Sequence, residues 1–181
     1  MRALLISNKN PLGANDGGSL GILNVFKGYK SIGIDIKLLT QDPIKDHIPR
    51  EKIDAQIKET DIQATIFPIN TNINYFKLLL NLFTSTLPYN LVRFDNKRFR
   101  ELIVKELQEN HYDFIQLESS FVGMYVDTIR KINPDIPIFL RAHNIEYEIW
   151  ELNSKTAKNP AKKLYFKIIA RRLKKFEIKL Y

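Results

Sequence analysis

The sequence predicts an α/β protein with a doubly wound, mostly parallel, Rossmann-like sheet that has helices on both faces. Five short apolar segments alternate with segments of helical periodicity along the chain. The first of them, ALLIS at residues 3–7, is a continuous apolar run of the kind that parallel sheets bury on both faces. Regular alternation of strand and helix favours such a sheet. The chain has 181 residues, and residues 1–181 are predicted to form a single domain.

The first half of the chain is predicted to contain three strands, at residues 3–7, 34–40 and 64–69. A glycine-rich loop and a helix that runs to about Ser31 separate the first two, and Gly33 ends this helix. Residues 34–38 alternate between apolar and polar, which indicates one wet face or a position near the sheet edge. The polar segment 42–61 contains two prolines and is predicted to be a loop with a short helix.

The second half of the chain is predicted to contain helices at 74–84 and 95–110, a strand at 113–117, a further helix, a strand at 138–141 and a last helix at 160–180. Helix 95–110 has apolar side chains at helical spacing. Helix 74–84 is apolar for most of its length. The strand at 138–141 is predicted to be a buried core strand.

Composition and charge exclude several classes of protein. The chain has no cysteine, so disulfides and thiolate metal sites are excluded, and its N-terminus does not resemble a signal peptide. We therefore expect a cytoplasmic protein. The net charge of +8 is local: residues 155–181 carry ten Lys or Arg and one acid, which leaves −1 for the remainder. A nucleic-acid partner is not expected from one basic helix.

Polar side chains follow the fourth and fifth strands at the point where each strand ends. The carboxyl ends of parallel strands share one edge of the sheet, and ligands bind there in doubly wound folds. The glycine loop after the first strand should lie at the same edge. We therefore expect the glycine loop, LESSF and RAHNIE to form the functional site.

The glycine loop, GANDGGSLG, is a candidate binding site for a phosphate or another anion. Gly17 and Gly18 allow a ligand to approach the backbone closely, and the N-terminus of the following helix adds partial positive charge. The spacing departs from G-x-G-x-x-G, and no G-K-[ST] follows, which argues against nicotinamide, flavin and a P-loop. A connection built from turn residues is the alternative. Asp16 and Asp42 are isolated carboxylates in the sequence and do not indicate a metal site.

The segment RAHNIE contains His143, Asn144 and Glu146 directly after the fifth strand. A neutral imidazole can donate to or accept from a sugar hydroxyl or a phosphate, and its neighbours can orient it or bind substrate themselves. The alternative for Glu146 is helix capping, with Asn144 as the N-cap and acids in the first turn. The histidines are far apart and no metal site is expected.

Glu118 and Ser119 end the fourth strand and are candidate substrate-binding residues, with Glu118 able to accept from hydroxyls or to act as a base. Arg141 lies within the fifth strand. It either pairs with Glu118 in a structural role or binds an anion, and the residue types alone leave both interpretations open.

The terminal helix 160–180 has a broad apolar face, with its basic side chains largely opposite. It is either a packed helix with a solvated face or a contact for anionic lipid headgroups, with nucleic acid as a third and weaker interpretation. A lipid-linked acceptor would also explain the apolar segment 75–87.

The segments LRAHNIEYEIWE, GGSLGILNVFKGYKSIGIDIKLLT and FIQLESSFVGMYV resemble the N-terminal half of a GT-B glycosyltransferase. More narrowly, they are similar to family 4 of the retaining enzymes that build bacterial polysaccharides and glycolipids. The resemblance implies two Rossmann-like domains facing a cleft, the N-terminal one on the acceptor side. The C-terminal nucleotide-sugar domain, with its E-x7-E motif, lies outside this chain. We expect the chain to be inactive alone.

By position, the resemblance implies that Gly17 and Gly18 approach the donor phosphates and the acceptor. It implies that His143 reaches the transferred sugar as the catalytic residue and that Glu146 is the acid following it. The basic residue that the family often has after its Gly-Gly pair is missing from GGSLG. The implied partners are a nucleotide-sugar and a carbohydrate or glycolipid acceptor. No cofactor and no metal are implied, and contact with the inner membrane face through 160–180 is a further expectation.

Two other classes remain open. The first is a non-enzymatic α/β ligand-binding or regulatory module of receiver-like or flavodoxin-like type. A receiver would need acids at the end of the first strand, where Ser7 and Asn8 stand instead. The second is half of a nucleotide-sugar epimerase, which would act without an acceptor.

Overall fold

The computed structural model describes residues 1–46 and 48–181 and contains one five-stranded, all-parallel sheet. Its strands are β1 (Arg2–Ser7), β2 (Asp35–Pro43), β3 (Gln63–Ile69), β4 (Phe114–Glu118) and β5 (Ile138–Arg141). The strand order is β3-β2-β1-β4-β5, so the chain reverses direction across the sheet between β1 and β4. The predicted Rossmann-like, doubly wound class is confirmed.

Eight α-helices connect and flank the strands in the described part of the chain. They are α1 (Gly17–Ser31), α2 (Arg50–Thr60), α3 (Tyr75–Thr84), α4 (Tyr89–Val92), α5 (Lys97–Glu109), α6 (Val126–Ile132), α7 (Glu146–Thr156) and α8 (Pro160–Leu180). Two 3₁₀ segments, Ile44–Asp46 and Ser120–Tyr125, precede α2 and α6. Position 47 of the predicted polar segment 42–61 lies outside the described residues.

Strand β1 is buried on both of its faces. Leu4 and Ile6 pack into a hydrophobic cluster with side chains of α5 and α6, whereas Leu5 packs into a second cluster with α1 and α2. Successive side chains of a strand point to opposite faces, so a strand covered on both sides must be apolar at every position. The continuous apolar run of β1 is therefore explained by its central place in the sheet.

The positions of β5 and β2 in the sheet test two of the predictions. Strand β5 is an edge strand, and Phe139 is 56% exposed, so the prediction of a buried core strand is wrong. Strand β2 has the predicted near-edge position, because β3 forms the other edge. Its polar Lys37 pairs with Glu106 of α5 at 2.7 Å between Nζ and Oε2.

Helices α7 and α8 form a helical hairpin. Helices α7 and α8 pack against each other, with the Trp150 and Phe166 ring centroids 5.4 Å apart. The last turn of α8 lies against the 3₁₀ segment that follows β4. A Cβ atom at Gly123 would collide with Leu180, so this close approach depends on glycine. The hairpin therefore ends close to the carboxyl end of β4.

Candidate functional site

The carboxylate of Glu118, the last residue of β4, lies at the centre of the candidate site. The strand register places it between Ser7 of β1 and Arg141 of β5. Its side chain is completely buried. It accepts hydrogen bonds from Gln116 Nε2 (2.6 Å) and Arg141 Nε (2.9 Å), and its Oε2 lies 2.9 Å from His143 Nε2. Three side chains from two adjacent strands and the following loop therefore converge on one carboxylate.

The guanidinium of Arg141 both neutralises Glu118 and faces helix α1. A buried carboxylate is costly unless it is paired and hydrogen-bonded. Nη2 of Arg141 lies 2.8 Å from Glu118 Oε2, but its N–H groups are not aligned on any acceptor among the described residues. A Cβ at Gly21 would stand 3.6 Å from both Nη atoms, so the guanidinium rests on α1 there. Of the two interpretations of Arg141, pairing with Glu118 is confirmed; Nη2 is buried in this ion pair.

His143 is held by one ring nitrogen and keeps part of its side chain accessible, with 24% exposed. An ionised carboxylate can only accept, so the Nε2 atom that contacts Glu118 must carry the hydrogen. In the neutral ring, Nδ1 is then the acceptor. The imidazole thus has a fixed orientation and one nitrogen that can serve a ligand.

A second layer of hydrogen bonds, not predicted from the sequence, extends from Glu118 into α1. Gln116 donates to Glu118, and the hydroxyl of Tyr29 donates to Oε1 of Gln116. Burial and the nearby Glu118 charge raise the pKa of Tyr29. The rest of the Tyr29 side chain packs against the hydrophobic cluster that contains Leu23 and Phe26 of α1. The detectable signal was Gln116, a polar residue inside the core strand FIQLE and two positions before Glu118 on the same face.

The glycine loop is organised by the side chain of Asp16. Its Oδ1 accepts from the backbone N–H groups of Gly18 (3.1 Å) and Ser19 (3.2 Å) as the N-cap of α1. Lys9 Nζ lies 2.7 Å from Oδ2. The hydrogen bond from Lys9 holds the pKa of Asp16 well below its usual range, with further lowering from Ser19, against a smaller effect of burial. The N-terminus of α1 therefore already has one anionic partner.

Gly17 and Gly18 are exposed at the start of α1 and differ in the space that a Cβ atom would have. A Cβ at Gly17 would meet no atom within 4 Å, and only Gly13 and Gly33 among the described glycines have positive φ. Neither packing nor backbone conformation therefore requires glycine at 17. At Gly18 a Cβ would lie 3.3 Å from the capping Asp16 Oδ1, which is tight.

Helix α7 is capped from α8 rather than by Asn144, so the expected Asn144 cap is wrong. The helix starts at Glu146, and the buried Glu177 accepts from the N–H groups of Glu146 (3.3 Å) and Tyr147 (3.1 Å). A carboxylate at a helix N-terminus satisfies free donors and complements the helix dipole. Asn144 stays exposed, and its side chain acts to lower the pKa of Glu146. Burial, and then the charge of Glu177, raise the pKa of Glu146.

Ser119 has a backbone conformation that non-glycine residues rarely adopt, with φ at +99°. Its N–H donates to the carbonyl of Arg141 (3.0 Å), and its hydroxyl accepts from the N–H of Phe121 (3.2 Å). Such strain costs about 1–3 kcal/mol and persists only where the surroundings enforce it. Here the enforcing contacts come from β5 and the 3₁₀ segment.

The structure therefore brings together Glu118, Ser119, Arg141 and His143, with α1 touching the guanidinium at Gly21. Asn144 and Glu146 follow within three residues, where the chain enters α7. Three clefts of about 300 to 630 Å³ lie elsewhere, along α8. None of these three clefts is lined by Glu118, Arg141 or His143, and the side chains of Arg141 and His143 are 34% and 24% exposed.

A comparison with protein-family models finds no match, and comparisons with curated proteins and with solved structures find none either. Residues 1–46 and 48–181 contain no group of three His, Asp or Glu side chains that could hold a metal ion. Within the same residues, no helix has the length and apolarity needed to cross a membrane. The expectations of no metal and no cofactor stay predictions.

Glu118→Gln is expected to destabilise the fold by about 2–4 kcal/mol, since it removes the partner of Arg141 and places an amide donor against Gln116. Urea unfolding followed by circular dichroism measures the change. Glu59→Gln is the matched control, because it removes an equal charge from an exposed position of α2 and should stay within about 0.5 kcal/mol. Equal stability of the two variants would contradict the central role of Glu118.

Glu146→Gln is expected to change how stability depends on pH. Because the pKa of Glu146 is raised in the folded state, the folded protein binds more protons than the unfolded chain, and stability falls as pH rises above the ordinary pKa of about 4.5. The glutamine variant should lose this decline and gain roughly 0.5 kcal/mol at pH 7, a small value because solvent screens the half-buried side chain. Thermal unfolding at several pH values tests this. Glu148→Gln, exposed in the same turn, controls for net charge; an unchanged pH profile in Glu146→Gln contradicts the assignment.

Proposed function

We propose that the chain is the acceptor-side domain of a retaining glycosyltransferase of GT-B type that resembles family 4. The parent enzyme would move a sugar from a nucleotide-sugar to a polysaccharide or lipid-linked acceptor. The second, nucleotide-sugar domain would supply the rest of the site. On this proposal residues 1–181 bind ligands weakly and do not catalyse transfer alone.

The observation that supports the proposal best is the buried Glu118, which fixes Arg141 and His143 at the carboxyl edge of the sheet. This edge is where doubly wound folds bind their ligands, beside the switch in strand order. The N-terminus of α1 follows β1 at the same edge, and Arg141 touches α1 at Gly21. Glu118, Arg141 and His143 all lie in segments that carry the resemblance, and they belong to one hydrogen-bonded network. A chance match of motifs would not require such a network.

The chemistry of a retaining transfer suits the groups present. The reaction must stabilise a diphosphate leaving group and an oxocarbenium-like centre. The exposed backbone at Gly17 is suited to phosphate oxygens, and the partly exposed Arg141 side chain places positive charge against the same helix at Gly21. His143, with Nε2 bound to Glu118, presents Nδ1 as an acceptor for a sugar hydroxyl or developing charge. Glu118 itself is a positioning residue, since it is buried and occupied by three donors.

The solvent-facing position of the network also agrees with a site completed by a second domain. Asn144 and Ile145 are exposed directly beside His143, and Phe139 is exposed on the edge strand. A domain facing this edge would exclude water from the reacting groups, which strengthens the electrostatic interactions there. The interpretation as an isolated ligand-binding module lacks any observation that favours it over the two-domain proposal.

Titration followed by ¹H–¹⁵N correlation spectra of the 181-residue protein tests the proposal. UDP-glucose is the nucleotide-sugar probe, and FMN and NAD⁺ are the comparison ligands. We expect UDP-glucose to shift the amide signals of Gly17, Gly18, Ser119 and Asn144, with an affinity in the millimolar range. The comparison ligands should leave these signals unchanged, because the loop lacks the G-x-G-x-x-G spacing.

Gly17→Ala should weaken UDP-glucose binding about tenfold, which is about 1.4 kcal/mol, because the methyl group occupies the open space above the backbone. Gly28→Ala is the matched control, since it is also helical and its Cβ also meets no atom within 4 Å. Tight binding of FMN would replace the proposal with a flavodoxin-like module. Absence of shifts with UDP-glucose would overturn the assignment of the glycine loop.

A further inference from the structure

Helix α3 has its large apolar side chains on the outside. Tyr75, Phe76 and Phe83 are 78%, 76% and 79% exposed, and Leu79 and Leu80 are more than half exposed. The positions follow i, i+1, i+4, i+5 and i+8, so the five side chains form one continuous face. We call this set the α3 face. None of the ten residues of α3 is buried. An apolar face of this kind on the surface marks an interaction site.

The side of α3 that contacts the protein is held largely by polar bonds. Arg172 of α8 donates to the carbonyls of Asn81 (3.2 Å) and Leu82 (2.6 Å) at the end of the helix. The Asn81 amide donates to the carbonyl of Leu87 (3.1 Å). These contacts fix the rotation of the helix, so the α3 face points away from the protein in a defined orientation.

Positive charge lies next to the carboxyl end of α3. No acidic residue occurs between Asp61 and Asp95. Helix α8 has eight Lys or Arg residues and one acid, Glu177, which is buried under α7. A cleft of about 300 Å³ between the end of α3 and α8 is lined by Ser85, Thr86, Ile168, Arg171, Arg172 and Lys175, none of which is acidic. An adjoining cleft contains Lys179 but also Asp95 and Asp127.

We infer that the α3 face and the basic residues of α8 next to it form a docking surface for an anionic membrane. Exposed Tyr, Phe and Leu on a helix with basic neighbours match the two requirements of interfacial binding: apolar area for the acyl boundary and cations for the headgroups. A second copy of this chain fits less well, because it would bring two positively charged surfaces together. The sequence suggested lipid contact through 160–180 and linked the apolar segment 75–87 to a lipid-linked acceptor; the structure identifies the exposed side chains of α3 that would make the apolar contact.

Co-sedimentation of the 181-residue protein with vesicles tests this inference. Vesicles of equal parts phosphatidylglycerol and phosphatidylcholine should bind the protein at low salt, and pure phosphatidylcholine vesicles should bind it about tenfold less. Raising the ionic strength should weaken binding to the anionic vesicles. No binding to anionic vesicles at low salt would overturn the inference.

Two double variants separate the apolar and charged contributions. Phe76→Gln with Phe83→Gln, and Lys175→Glu with Lys179→Glu, should each reduce binding by roughly tenfold, while circular dichroism shows unchanged folding. The matched controls are Leu20→Gln with Ile32→Gln, which are exposed apolar positions on and after α1, and Lys27→Glu with Lys58→Glu on α1 and α2. These controls should bind like the unaltered protein.

Two outcomes would show that the docking surface lies elsewhere or that its partner is not a membrane. Binding that survives Phe76→Gln with Phe83→Gln would show that α3 is not the contact. A dimer that this double variant converts to a monomer, in a protein that does not bind vesicles, would identify a second copy as the occupant. The assay contains no nucleotide-sugar, so it can succeed or fail independently of the proposed transferase function.

Discussion

The buried carboxylate of Glu118 is the constraint on which the candidate site depends. A carboxylate with no solvent exposure at the end of a core strand would cost several kcal/mol if it lacked partners. The protein supplies Gln116 from the same strand, Arg141 from β5 and His143 from the loop that follows. Because all of them must satisfy one carboxylate, their positions relative to one another are fixed.

This constraint also links the site to the rest of the fold. Tyr29 connects α1 to the network through Gln116, and the strained backbone of Ser119 donates to the carbonyl of Arg141. A few residues further on, Glu177 caps α7, so α8 determines where the chain turns away from His143. The same α8 supplies Arg172, which holds α3. Helix α8 therefore positions both the start of α7, close to His143, and the α3 face.

The fold class and most elements could be predicted because they depend on local periodicity and on the burial of central strands. The continuous apolar run of β1 is an example, whereas the pairing of Glu118 with Arg141 was one of two interpretations that the sequence left open. Features decided by distant parts of the chain could not be predicted. Glu177, rather than Asn144, caps α7 from 31 residues beyond Glu146, and the Tyr29 hydroxyl binds Gln116 from a different element. Phe139 is exposed because β5 is an edge strand. Periodicity identified α3 as an apolar helix but gave no information on which side of it faces the protein.

The tautomer of His143 tests the central claim most directly. Long-range ¹H–¹⁵N spectra of the imidazole, recorded at a pH where the ring is neutral, distinguish a hydrogen on Nε2 from one on Nδ1. If Glu118 is an ionised acceptor that orients the ring, His143 must be in the Nε2–H form, and Nδ1 is free to accept from a ligand. Detection of the Nδ1–H form would show that Glu118 does not hold the histidine, and the proposed arrangement of the site would be contradicted.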